Sequence, residues 1–155
     1  MKIIQGGLSN PQVAELLQQH LDDMALHSPP TSVHALDLDA LRVPEITFLT
    51  LWQADRLMGC GAMKELDAGN AELKSMRTAT EFLRRGVART LLEKLISLAS
   101  EREYQHLWLE TGSAEAFKPA RLMYEKYGFI ECEPFADYVP DPYSVFMTKA
   151  LSTIK

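Results

Sequence analysis

The chain has 155 residues, of which 46% are hydrophobic and 24% charged, with a formal net charge of −5. This is the composition of a soluble globular domain, and its length suffices to bury a core without disulfides or a structural metal. The acidic balance argues against general nucleic-acid binding, which needs broad phosphate neutralisation, although it allows one local phosphate site. No apolar run approaches the roughly 20 residues of a membrane span, and MKIIQGGLSNPQ resembles neither a signal nor a transit peptide. Cys60 and Cys132 are far apart and lack zinc-ligand spacing, so a reduced, cytoplasmic setting of bacterial type is the simple reading. Residues 1–155 are read as a single domain.

Met1 to Gln5 predicts a short strand, ended by Gly6-Gly7. Asn10-Pro11 predicts an N-cap and first helical residue, starting a helix to about Leu26 with Val13, Leu16, Leu17, Leu21 and Met24 on one face. The prolines of His27 to Ser32 predict an irregular loop, either a connector or part of a substrate mouth. Val33 to Leu41 has room for a short second helix. Glu45 to Gln53 and Arg56 to Lys64 predict a hairpin turning at Ala54-Asp55, and Gly59 and Gly61 in its second strand predict close packing or a bend. The turn Asp67 to Asn70 leads to a third strand, Asn70 to Thr78, completing an antiparallel meander.

Phe82 to Leu92, FLRRGVARTLL, is the most informative stretch. Gly86 permits close backbone approach, and the first N–H groups of the following helix lack carbonyl partners, so they can bind phosphate oxygens. Arg84, Arg85 and Arg89 add charge. The helix continues to about Glu101 with Val87, Leu91, Leu95, Leu98 and Ala99 inward. His106 to Glu110 predicts a strand interrupted by Thr111-Gly112-Ser113. Phe117 to Tyr127 predicts a helix stopped by Gly128, and Phe129 to Cys132 and Val145 to Thr148 predict the last two strands. The expected architecture is α+β, a mixed but mostly antiparallel sheet with helices on both faces.

Two motifs in this order resemble those of the GNAT superfamily of acyl-CoA-dependent N-acetyltransferases, and the resemblance covers about Glu45 to Leu151. The pyrophosphate loop of that family runs Arg or Gln, two residues, Gly, one residue, then Gly or Ala; Gly86 and Ala88 match it, while Leu83 stands at the leading position. The second motif, Ala120, three residues, Tyr124-Glu125-Lys126, one residue, Gly128-Phe129, matches closely. Phe117 stands where relatives often carry asparagine.

The resemblance implies a GNAT-like sheet splayed between its fourth and fifth strands and acetyl-CoA as cosubstrate. It places the pyrophosphate on Arg84, Arg85, Gly86, Val87, Ala88, Arg89 and Thr90, and the pantetheine arm along Met76, Arg77 and Thr78. A backbone N–H near Met76 would polarise the thioester carbonyl. Tyr124 takes the position of a tyrosine that hydrogen-bonds or protonates the departing sulfur; stabilisation by a hydrogen bond is the simpler role, because a phenol near pKa 10 gives its proton reluctantly to a thiolate. Glu72 is the first candidate base and Glu110, at the end of the facing strand, the second; either can instead pair with Lys74 or Arg77. Transfer is expected to be direct, because no cysteine lies in either motif.

The acceptor is expected to be a small-molecule primary amine, entering past Ser32, His34, Arg77, Glu110, Thr111, Tyr138 and Tyr143, with Arg77 either pairing with a substrate carboxylate or facing solvent. Acetylation of protein amines stays open, as does an acyl-CoA-binding sensor or interaction protein without transfer. His34 and His106 have no clustered ligands, so no metal is expected. A homodimer fits the resemblance, but no interface is legible.

Overall fold

A computed structural model describes residues 1–29 and 38–151. The strands are β1 (Lys2–Gln5), β2 (Ile46–Gln53), β3 (Arg56–Asp67), β4 (Asn70–Thr78), β5 (His106–Gly112), β6 (Ile130–Glu131) and β7 (Ser144–Ala150). The α-helices are α1 (Pro11–His27), α2 (Val87–Glu101) and α3 (Lys118–Lys126), with single 3-10 turns at Ala40–Arg42, Thr80–Phe82 and Glu115–Phe117. The seven strands form one sheet in the order β1-β2-β3-β4-β5-β7-β6. Among the described residues, no helix is long and apolar enough to cross a membrane.

The helix starts follow local chemistry. The Asn10 side chain accepts a hydrogen bond from Gln12 N–H at 2.9 Å, and Pro11 occupies the first turn, where no donor is required. Val13, Leu16 and Leu17 of α1 pack with Phe48, Trp52, Leu57 and Cys60 on one sheet face. Leu91, Leu92, Leu95 and Ala99 of α2 pack with Leu49, Met63, Leu73 and Leu107 on the other. The expected second helix falls mainly on residues outside the described ones, and the described part of it, from residue 38, contains only the short 3-10 turn beginning at Ala40.

The two glycines of β3 explain how the centre is assembled. A Cβ on Gly59 would lie 2.6 Å from Val87 Cγ1, and one on Gly61 would lie 2.6 Å from Met76 Sδ. Only glycine lets the start of α2 and the next strand press this closely on β3. Opposite Gly61, the β3–β4 register slips from Ala62↔Lys74 to Cys60↔Arg77, so Ser75 and Met76 form a bulge, with Ser75 at φ 56°.

That bulge lies where the sheet opens. β4 and β5 run parallel, paired from Asn70↔His106 to Leu73↔Leu109 and no further. β5 instead stays paired with β7 as far as Gly112↔Ser144. The two central strands therefore diverge as a V, leaving the β4 edge from Lys74 to Thr78 unpaired on that side. The expected end of β5 at Glu110 is corrected here: Thr111 and Gly112 continue the strand because β7 pairs with both. Gly112 is present for space, since a Cβ there would overlap the Phe117 ring at 2.1 Å.

Candidate active site

One arm of the V leads to the start of α2. Gly86 sits at φ 77° as the N-cap, and its carbonyl accepts from Thr90 N–H at 2.9 Å and Thr90 Oγ1 at 2.7 Å. The N–H groups of Val87, Ala88 and Arg89 precede that first helical bond, so they form the positive end of the helix. Val87 is buried against Gly59 and offers only its backbone, while the Thr90 hydroxyl closes the turn. The arginines differ in use. Arg84, Arg85 and Arg89 are all exposed, but the Arg85 guanidinium also lies 5.6 Å over the Phe82 ring, which Arg56 covers at 5.0 Å.

From this helix start a groove of about 540 Å³ runs between α1, the bare edge of β4 and α3. Met76, Arg77 and Thr78 line it, with Ala88 at one end and Tyr124 at the other. The Arg77 guanidinium pairs with Asp23 of α1 through one Nη, while its buried Nε meets no partner among the described residues. The sequence could not show this pairing, because the two residues lie 54 positions apart.

At the mouth of the V the groove meets a smaller cavity of about 130 Å³. Glu72, Lys74 and Met76 enter it from β4, Glu110 and Thr111 from β5, and Tyr124 from α3. Tyr124 is 6% exposed and packs edge-on to Phe129 at 5.6 Å; burial raises its phenol pKa, so the hydroxyl keeps its proton and is suited to donating a hydrogen bond. On the far side of Glu72 and Lys74 lies a third, larger cavity of about 670 Å³, walled by Trp108, Phe135 and Tyr138.

The two glutamates selected from the sequence have different surroundings. Glu72 is 3% exposed, and its Oε2 accepts from Lys74 Nζ at 3.0 Å and from the Tyr138 hydroxyl at 2.6 Å. Lys74 Nζ also donates to the Tyr138 hydroxyl at 2.9 Å. These three side chains form the partition between the small cavity and the large one. Burial pushes the Glu110 carboxyl up to about 7, helped by the charges of Glu72 and Asp141 and opposed by the Ser144 hydroxyl and the Lys74 ammonium. The Ser144 effect is the weaker support, since its Oγ makes no hydrogen bond of good geometry. Glu110 is thus the carboxyl poised to change charge near neutrality, and Glu72 is held in an ion pair.

The remaining sequence candidates fall in several places. Tyr138 belongs to the partition, Tyr143 is exposed, and Ser32 and His34 lie outside the described residues. Burial pushes the Cys60 thiol up to about 12, and Cys60 Sγ donates to Ser75 O at 3.3 Å, as suits a packed thiol. Among the described residues no group of three or more His, Cys, Asp or Glu is placed to hold a metal ion.

One residue of the site escaped the sequence reading. His20 of α1 is 9% exposed and lines both the groove and the small cavity, opposite Tyr124. Burial, reinforced by Arg77 and resisted by Asp23, holds its pKa down at about 4. The available signal was positional: a histidine three residues beyond Leu17 continues the inward face of the helix.

Residues 12–129 match the model of the acetyltransferase (GNAT) family. The chain is 56% identical over 144 residues to the uncharacterized N-acetyltransferase YsnE of Bacillus subtilis, covering 93% of this chain and 95% of that protein. It is 36% identical over 141 residues to an IAA acetyltransferase of Azospirillum brasilense, covering 90% and 89%. The fold is also that of a GNAT family acetyltransferase from Elizabethkingia anophelis solved with acetyl-CoA bound, with TM-score 0.69, 19% identity and 97% of each chain covered. The splayed sheet, the glycine-capped helix start beside it and these relatives agree, and the chain belongs to the GNAT family of N-acetyltransferases.

Proposed function

We propose that this protein transfers an acetyl group from acetyl-CoA to a small-molecule primary amine, directly and within a ternary complex. The observation that carries the reading is that Glu110 and Tyr124 line one cavity at the opening of the V, next to a groove that begins at the α2 start.

Acetyl-CoA supplies an activated acyl thioester and an anionic pyrophosphate. The chain's features suit such a molecule: free N–H groups at Val87, Ala88 and Arg89, flanking charge on Arg84 and Arg89, and a bare β4 edge at Met76 to Thr78 able to pair with amides as another strand would. The Elizabethkingia anophelis relative, solved with acetyl-CoA, supports the same assignment.

Glu110 serves as the base. A primary alkyl ammonium has a pKa near ~10.4, so a carboxylate must take its proton before the nitrogen lone pair is available. A carboxyl raised to about 7 is ionised just above neutrality and accepts that proton more readily than an ordinary glutamate does. Glu72, bound to Lys74 and Tyr138, fixes the wall beside it rather than acting as base. Tyr124 donates a hydrogen bond to the sulfur as it leaves, and the Met76 N–H polarises the carbonyl. Neither thiol lines the groove or the small cavity, which favours direct attack over an acyl-enzyme.

The test is release of free thiol from acetyl-CoA across a panel of small primary amines. Turnover with primary amines, and none with their tertiary counterparts, is expected. Acetyl-CoA binding without thiol release for any amine would replace the transferase reading with that of an acyl-CoA sensor.

A further inference from the structure

The small cavity is too tight for the whole of the reacting pair. An apolar cavity of about 150 Å³ holds a single benzene molecule. The small cavity, of about 130 Å³, must receive the acetyl group, the sulfur and the amine together, so the rest of the acceptor lies outside it. Two of the spaces described above adjoin it. The groove belongs to the cosubstrate arm, and the large cavity of about 670 Å³ shares Glu72 and Lys74 with the small one.

Strand geometry lines the large cavity up with the proposed base. Leu107 and Leu109 of β5 turn into the core packed by α2, so Trp108 and Glu110 turn to the opposite face. At the rise of a strand, two such residues stand about 7 Å apart, one in the wall of each cavity. The wall around Trp108 is aromatic and held in place. Its Nε1 donates to Asn70 Oδ1 at 2.9 Å, and its ring lies 5.3 Å from Phe135, which meets Tyr138 at 5.1 Å. Trp108 and Tyr138 are half-buried, which leaves ring surface for a ligand. Most of the charge in the lining is already engaged within the protein. Glu65 accepts from the Tyr104 hydroxyl at 2.6 Å, Asp67 from Asn70 Nδ2 at 2.9 Å, and Glu72 from Lys74 at 3.0 Å. The two remaining charges, Lys64 and Asp137, are opposite in sign and select for neither.

Resting on the transferase reading above, we propose that the acceptor is an arylalkylamine, with its aromatic ring seated against Trp108 and Tyr138 in the large cavity and a short alkyl tether carrying the primary amine to Glu110. The Tyr138 hydroxyl, from the loop joining β6 to β7, stands between the two spaces on Glu72 and Lys74. The tether passes when that hydroxyl swings aside, and Glu72 and Lys74 stay paired with each other. Trp108 thus sets which amines bind, while Glu110 takes the proton.

The experiment uses 2-phenylethylamine and n-butylamine, two primary alkylamines of which only the first carries a ring. It measures kcat/KM for each by thiol release at saturating acetyl-CoA, in wild type, Trp108→Phe and Trp108→Leu. It also follows the indole N–H resonances of Trp52 and Trp108 in CoA-saturated wild type as each amine is added. Wild type is expected to favour 2-phenylethylamine by about ten-fold or more, chiefly through KM. Trp108→Phe, which still offers a ring, is expected to keep most of that preference and Trp108→Leu to lose most of it, with acetyl-CoA affinity by calorimetry the same in all three. The Trp108 resonance is expected to shift with 2-phenylethylamine, and that of Trp52, buried under α1, to stay in place. Equal kcat/KM for the two amines in wild type, an undiminished preference in folded Trp108→Leu, or a Trp108 resonance indifferent to 2-phenylethylamine overturns the proposal. The wild-type arms decide even where Trp108→Leu does not fold. Failure of the transferase reading looks different: acetyl-CoA binds and no amine releases thiol, while the Trp108 resonance still reports whether 2-phenylethylamine enters the large cavity.

Discussion

The two arms of the opened sheet are built from different materials. The side running from Gly86 to Thr78 is mostly backbone: a left-handed glycine, three helix N–H groups and a strand edge without a partner. The side formed by Glu72, Lys74, Tyr138, Glu110 and His20 is made of side chains, several of them charged, with Glu72 and His20 buried and the others partly so. A backbone site is specified by a few consecutive residues and tolerates their identity. A side-chain site depends on each residue, and its electrostatics arise only after folding. If this contrast holds, substitutions on one arm should alter cosubstrate binding and those on the other should alter turnover or stability.

The largest expected effect is that of Glu110→Gln. Removing a general base lowers kcat by about 10²- to 10⁴-fold, and acetyl-CoA affinity by calorimetry should not change. In wild type the rate should fall as pH drops through about 7, where Glu110 protonates, and the variant should lose that limb. The sign for stability is opposite. A carboxyl whose folded pKa lies above its unfolded value of 4.5 contributes stability below about 4.5, and that contribution is lost as pH rises through about 7. Denaturation at pH 5 and pH 8 should therefore show Glu110→Gln gaining on wild type at the higher pH.

Lys74→Met should come next, as a loss of stability. It leaves Glu72 buried with only the Tyr138 hydroxyl, and breaking a buried pair by removing one partner costs roughly 3–5 kcal/mol. Urea midpoints measure it, and a change near zero would mean that the partition is not an ionic structure. Gly86→Ala probes the other arm more gently. Its φ of 77° costs an alanine about 1–2 kcal/mol, and the expected outcome is weaker acetyl-CoA binding with the pH profile intact.

The smallest effects should come from the loop arginines. Arg84→Ala and Arg89→Ala should weaken acetyl-CoA binding at low salt by about 1 kcal/mol or less each, and by less still at high salt. Arg85→Ala should act chiefly on stability, since its guanidinium covers Phe82. A calorimetric salt series on the three variants separates these outcomes.

The same contrast explains what could be read from the sequence. Gly86, Ala88 and the Tyr124 to Phe129 motif are contiguous, so their positions along the chain nearly fix their positions in space. The hairpin, the meander and the glycine-relieved packing at Gly59 and Gly61 were legible for the same reason. The end of β5 was misplaced because Gly112 looks like a breaker, whereas its missing Cβ accommodates Phe117. The different surroundings of Glu72 and Glu110 were not legible, because the hydroxyl that engages Glu72 lies 66 positions away at Tyr138. The pairing of Arg77 was likewise not legible, because Asp23 lies 54 positions away. His20 is absent from the apolar stripe of Val13, Leu16, Leu17, Leu21 and Met24 that predicts the helix, although a histidine on an inward face is itself a signal.

The most direct measurement is a calorimetric titration of acetyl-CoA into wild type and Glu110→Gln, alongside their rates of thiol release with the best amine. The account predicts one site of micromolar affinity in both proteins, with turnover lost only in the variant. Equal turnover in the two, or loss of binding in a folded Glu110→Gln protein, would contradict the separation of cosubstrate binding from acceptor chemistry.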